Sequence, residues 1–110
     1  MGKITLKLNK NTGLGTLEYN GKTYNCGGKV GFNYPTDTTL SGYKEECHHS
    51  REYDCDMNYA VLWIGQKGVY IHEWSCLEYS SGCIHLLEGD AKEFYDSITG
   101  KTRLVFSWTE

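Results

Sequence analysis

Long hydrophobic runs are missing from this sequence. The longest apolar stretch, Ala60 to Ile64, falls far short of the roughly 20 residues that cross a bilayer as a helix, so a soluble chain with no membrane span is expected. An excess of basic charge is missing too. The formal net charge is -3, and lysine and arginine are scattered instead of forming a stripe that would neutralise phosphates, which makes nucleic acid a poor partner. The amino terminus lacks the form of a secretory signal, because Met1 to Lys10 alternates apolar and polar residues where a signal sets a basic stretch before an apolar one. The expectation is a trimmed sequence or export by another route. Proline is reduced to Pro35, and no repeat, low-complexity tract or linker interrupts the chain. Its 110 residues are expected to form one domain, 1–110, around one core.

Cysteine, by contrast, is plentiful. Five in 110 residues is high for a reducing compartment and ordinary for an oxidising one, where disulfides reinforce small cores. The odd count leaves one thiol over if the others pair, and a leftover thiol is a candidate nucleophile. The alternative is that all five are reduced and several are simply buried.

Ile4, Leu6 and Leu8 alternate with polar neighbours at the period of a half-buried strand. Leu17 to Tyr19 and Lys22 to Tyr24 flank Asn20-Gly21, the dipeptide that best tolerates the positive φ angles of a type I′ hairpin. From Gly27 to Cys55 the pattern dissolves into glycine, threonine and charge, which predicts loop with at most one short strand. Asn58 to Ile64 and Gly68 to His72 read as two central strands around a Gly65-Gln66-Lys67 turn. Asp90 is placed to cap a helix in which Glu93 completes a capping box, with Gly100 closing it after Phe94, Tyr95 and Ile98 have faced inward. Thr102 to Trp108 alternates again as a last strand. The fold class predicted is mainly β, a small sandwich or barrel with one short α-helix.

Chemistry concentrates between residues 68 and 85. Val69 and Ile71 share a face and belong to the core, which sends Tyr70 and His72 to the opposite face and leaves His72 pointing away from the core. Eleven residues later Cys83 follows Ser80-Ser81-Gly82, small residues that permit a tight turn presenting a side chain together with backbone N–H groups. A thiol attacks as thiolate and needs a base near neutrality, and His72 is the best-placed imidazole. The N–H groups of Gly82 and Cys83, with Ser81 in the same loop, would hold a developing oxyanion. The simpler alternative is a buried cysteine beside an unrelated histidine.

His72 followed by Ser80-x-Gly82-Cys83-Ile84 resembles the His…Ser/Thr-x-Gly-Cys signature of L,D-transpeptidase catalytic domains. Asn11-Thr-Gly-Leu, Tyr19-Asn-Gly, Gly27-Gly28 and the loop from Pro35 to Tyr43 are similar to compact variants of the family, including interbacterial toxin effectors delivered by type VI secretion. The resemblance implies that Cys83 is acylated by a peptidoglycan stem peptide with His72 as base, that no cofactor is needed, and that the enzyme works in the bacterial periplasm or cell wall. For an effector it also implies a cognate immunity protein and secretion machinery as partners, and a phage-type enzyme would share the same chemistry. Either transpeptidation, D-amino-acid exchange or L,D-carboxypeptidase action follows, according to the acceptor. The sequence departs from the pattern in a short gap between His72 and Cys83, in Glu73 where glycine is usual, and in His85 where arginine or asparagine is common. His85, with Ser80 and Tyr70, is expected to position substrate or the catalytic loop.

Cys47-His48-His49 and Cys55, with Asp54 and Asp56 nearby, have the ligand types of a zinc or copper site at the wrong spacing for a standard module. No metal is expected, and a Cys47–Cys55 disulfide is simpler. Cys26 and Cys76 would then form the second bridge, whereas a Cys76–Cys83 bond would turn the nucleophile into structure. Trp74 and Tyr79 either line a cleft or lie over the core. The reading of another class is a disulfide-stabilised binding module without turnover.

Overall fold

The alternation of Ile4, Leu6 and Leu8 produces the first strand, in which all three side chains are fully buried. The computed structural model describes residues 2–50, 55–77 and 80–110, with the backbone alone for 48–50, 55 and 56. In chain order the strands are β1 (Lys3–Asn9), β2 (Leu14–Tyr19), β3 (Lys22–Gly27), β4 (Asp37–Leu40), β5 (Lys44–Ser50), β6 (Cys55–Ile64), β7 (Val69–Glu73), β8 (Ile84–Leu86) and β9 (Thr102–Thr109). One helix, α1 (Asp90–Ser97), lies between the last two strands, and a 3-10 turn at Gly65–Lys67 joins β6 to β7.

These nine strands make one sheet in the order β4-β9-β1-β2-β3-β8-β7-β6-β5. The β1–β9 and β7–β8 pairs are parallel and the others antiparallel. The mainly β class with one short helix stands as predicted, in the form of a half-barrel: a single curled sheet instead of two stacked ones. Its curl is visible in a contact between strands near opposite ends of the order, where Trp63 Nε1 of β6 donates to Thr38 Oγ1 of β4 at 2.8 Å. Tyr34 fills the space between, stacked on Trp63 at 5.2 Å between ring centroids and packed on Phe106 of β9 at 5.1 Å.

The Asn20-Gly21 hairpin forms with φ of 53° and 75° at its two central residues, the pair of positive angles that a type I′ turn requires. Two expectations are corrected. The stretch read as loop between Gly27 and Cys55 contains two strands, β4 and β5. The helix begins after Gly89, and Glu93 does not form a capping box: its carboxylate accepts from Lys22 Nζ at 2.8 Å and from the Tyr24 hydroxyl at 2.9 Å, which ties α1 to β3. Phe94 and Ile98 are fully buried, and Phe94 meets Tyr19 and Tyr24 edge-on, so the helix fills the concave side of the sheet. Among the described residues no helix is long and apolar enough to cross a membrane.

Candidate active site

Strands β7 and β8 run parallel, with Ile71 beside Ile84, His72 beside His85 and Glu73 beside Leu86. Side chains alternate across a sheet, so Ile71 and Ile84 enter the core while His72 and His85 share the other face. Carrying the register back by one residue sets Cys83 next to Tyr70, and the Tyr70 N–H reaches Cys83 Sγ at 3.4 Å. The thiol in turn lies 3.8 Å from Gly68 O. Tyr70 and His72 thus share one face of β7 with His85 beside them on β8, and Cys83 ends the turn that enters β8.

A parallel pair obliges the connection to travel back along the full strand length. Here it does so across the histidine face. Trp74 N–H donates to Leu86 O at 2.9 Å, and the Leu77 carbonyl settles onto β3 where a Cβ on Gly27 would come within 1.8 Å of its oxygen. Only glycine permits that approach. The consequence corrects the sequence reading of His72: it leaves the apolar core as expected but is only 2 % exposed, with His85 at 6 %. Trp74 is the cover. Its ring stacks on His85 at 5.4 Å and 23°, and the two imidazoles meet at 5.0 Å and 67°.

His72 Nδ1 lies 2.8 Å from the carbonyl oxygen of Glu73. A carbonyl can only accept, so Nδ1 carries the proton and the neutral ring keeps its lone pair on Nε2. The imidazole is thereby fixed in tautomer and orientation by the backbone of the next residue, and any residue type at position 73 would supply the same carbonyl.

The turn before Cys83 is held from several sides. Gly82 has φ of 141°, and a Cβ there would lie 2.9 Å from Phe32 Cε2. Ser80 Oγ accepts from Gly82 N–H at 3.0 Å and donates to Cys83 O. Gly82 N–H therefore points at Ser80 and does not face an oxyanion, contrary to the sequence expectation. Ser81 is exposed at the tip of the turn. A residue that sequence reasoning missed completes the brace: the hydroxyl of buried Tyr34 donates to Gly82 O at 2.7 Å and accepts from Lys29 N–H at 2.9 Å. Its one local signal is its place in Phe32-Asn-Tyr34-Pro35, an aromatic pair ahead of the single proline.

Cys26, Cys47, Cys76 and Cys83 are thiols. The expected Cys26–Cys76 bridge is not formed; Cys26 is fully buried on β3, and burial pushes its thiol up to about 12. The Cys47–Cys55 bridge fails on register, since β5 pairs Cys47 with Asn58 and Ser50 with Cys55. Three residues of strand, about 10 Å, then separate the two cysteines, beyond the roughly 7 Å that a disulfide spans. Of the candidate metal ligands, His48, His49, Asp54, Cys55 and Asp56 lie outside the residues whose side chains are described, as do Glu78 and Tyr79. A cleft of about 560 Å³ opens beside the site, lined by Glu46, Cys47, Asn58, Tyr59, Glu73 and Glu88, and is acidic. Neither His72 nor Cys83 is among its lining residues.

Solved structures with this fold include L,D-transpeptidases from Stackebrandtia nassauensis (TM-score 0.75, 20% identity), Mycobacterium smegmatis (0.69, 21%) and Mycobacterium tuberculosis (0.73, 18%). Each alignment covers 96% of this chain and 55%, 59% and 57% of the respective relative, so the chain spans little more than half their length. No curated protein matches the sequence. At these identities the structures speak for the fold, whereas the model of the L,D-transpeptidase catalytic domain (YkuD) matches residues 6–106, nearly the whole sequence. The chain belongs to the family of L,D-transpeptidase catalytic domains.

Proposed function

We propose that the chain is a cysteine-dependent acyltransferase or hydrolase of peptidoglycan stem peptides, with Cys83 as nucleophile and His72 as general base. The observation that carries this reading is the His72 Nδ1 contact with Glu73 O, which sets the tautomer that a general base requires on the strand beside the one that Cys83 enters. The thiol proton passes to Nε2, Sγ attacks the carbonyl on the amino side of a terminal D-amino acid, and the tetrahedral intermediate collapses with the leaving amine taking its proton from His72. The thioester is then resolved by an amine, giving cross-linking or exchange, or by water, giving L,D-carboxypeptidase action. The Tyr70 N–H directed at Sγ is placed to donate to the thiolate that attacks. Since the substrate is cell-wall material, the bacterial periplasm or cell wall is where the enzyme acts. Neither bridge expected for a disulfide-stabilised binding module is present among the described cysteines.

Mass spectrometry of purified muropeptides incubated with the protein tests the proposal. Loss or exchange of a terminal D-alanine is expected with the wild type and not with Cys83→Ala. Turnover surviving in Cys83→Ala would sink the assignment of the nucleophile.

A further inference from the structure

The turn that carries Cys83 consists of peptide planes, and their orientation decides which way its N–H groups face. Ser80 fixes the planes on either side, through Gly82 N–H and Cys83 O. The plane between them runs from the Gly82 carbonyl to the Cys83 N–H, and its carbonyl is bound by the Tyr34 hydroxyl at 2.7 Å. In a trans peptide the C=O and the following N–H point in opposite directions. Tyr34 approaches from the aromatic core, against Trp63 and Phe106. Its hold on the carbonyl therefore turns the Cys83 N–H away from Tyr34 and the aromatic core.

We propose that Tyr34 is a positioning residue for acyl transfer: by anchoring the Gly82 carbonyl it aims the Cys83 N–H at the oxygen that becomes negative when Cys83 is acylated. The proposal rests on the reading of Cys83 as nucleophile. When Sγ attacks, the C–S bond forms and the carbonyl π pair moves onto oxygen; collapse returns that pair, breaks the C–N bond and releases the amine with a proton from His72. An N–H aimed at the oxygen matters in the transition state more than in the ground state, so its effect falls on rate and not on substrate affinity. Burial, the largest influence, pushes the Tyr34 phenol up to about 12, which keeps it protonated as the donor to Gly82 O. The Lys29 N–H, 2.9 Å from the Tyr34 hydroxyl oxygen, occupies the acceptor side of that hydroxyl and fixes the direction of donation.

Tyr34→Phe keeps the ring and removes both hydrogen bonds. Two rates at Cys83 are compared by peptide mapping, which separates Cys83 from the exposed Cys47: single-turnover acylation by a tetrapeptide muropeptide, and alkylation by iodoacetamide, a displacement at saturated carbon that develops no oxyanion. Acylation is expected to fall on the order of 10- to 100-fold, a fraction of what deleting an oxyanion donor outright costs, while alkylation stays within about twofold. Phe32→Leu, which loosens packing against Gly82 and leaves the hydrogen bonds in place, should shift the two rates together. Unchanged acylation in Tyr34→Phe, or acylation and alkylation falling in parallel, overturns the inference; so does an equal split in Phe32→Leu, which would assign the effect to packing. A folded wild type that is alkylated but never acylated overturns instead the reading on which the inference rests.

Discussion

The reactivity of a thiol depends on what surrounds its sulfur, and the described cysteines occupy unlike surroundings. Cys26 is enclosed between strands with its pKa pushed up to about 12 by burial, whereas Cys47 stands exposed on β5. Brief iodoacetamide treatment of the native protein at pH 8 should label Cys47 and leave Cys26 unmodified until the chain unfolds, as read by peptide mapping; equal labelling of the two would contradict the burial of β3. The same shift carries a pH dependence. A group whose folded pKa lies above its ordinary 9.0 contributes stability that is complete below that value and is lost as pH rises towards about 12. Melting temperatures measured from pH 8 to 11 should therefore fall more steeply for the wild type than for Cys26→Ala, and parallel curves would refute the assignment. At Ser80 the consequence is local. Ser80→Ala removes the acceptor for Gly82 N–H and the donor to Cys83 O, which should cost about 1 kcal/mol of stability and slow acylation, both measurable on one preparation.

Elements whose sequence repeats the period of their structure were legible before any coordinates. β1 and the β2–β3 hairpin announce themselves through Ile4, Leu6, Leu8 and Asn20-Gly21, because one face of each strand must be apolar to enter the core. β4 and β5 escaped detection for a physical reason: they are the two edges of the sheet. An edge strand is held by backbone pairing to one neighbour and is kept polar so that it does not recruit further strands, and Asp-Thr-Thr-Leu and Lys-Glu-Glu-Cys-His-His-Ser are sequences of that kind. Half of the candidate site was legible in the same way, since His72 and Cys83 follow from strand alternation and a small-residue turn. The covering of His72 by Trp74 was not, because it follows from β7 and β8 being parallel, and the brace from Tyr34 was not, because it joins residues 48 apart in sequence. The helix was legible in its inward face and misread at both ends: Glu93 turns to Lys22 and Tyr24, and the helix stops at Ser97 with Ile98, not Gly100, as its cap. Phe94 is its anchor, fully buried against two tyrosine rings. Phe94→Ala should destabilise the fold by about 3–5 kcal/mol in a denaturant titration, whereas a change below about 1 kcal/mol would mean that α1 is not part of the cooperative core.

At the scale of the molecule, the first and last strands depend on each other. β1 pairs along its whole length with β9, from Lys3 beside Arg103 to Asn9 beside Thr109, and β9 is also the strand to which β4 is added. The order of the sheet therefore places the chain's carboxyl-terminal segment inside the sheet and not at its rim. β9 also supplies Leu104 and Phe106 to the core, and Phe106 packs on Tyr34, whose hydroxyl holds the Gly82 carbonyl. Removing Thr102–Glu110 should do more than trim an end: β1 loses one side of its pairing, β4 loses the strand that holds it, and the aromatic seam behind the Cys83 turn opens. The expected result is a chain with no cooperative thermal transition by circular dichroism, and with Cys26 alkylated as fast as Cys47. Retention of a cooperative melt close to that of the full chain, with Cys26 still protected, would show that the β1–β8 portion folds by itself and would break the chain of contacts proposed to run from β9 through Tyr34 to Cys83.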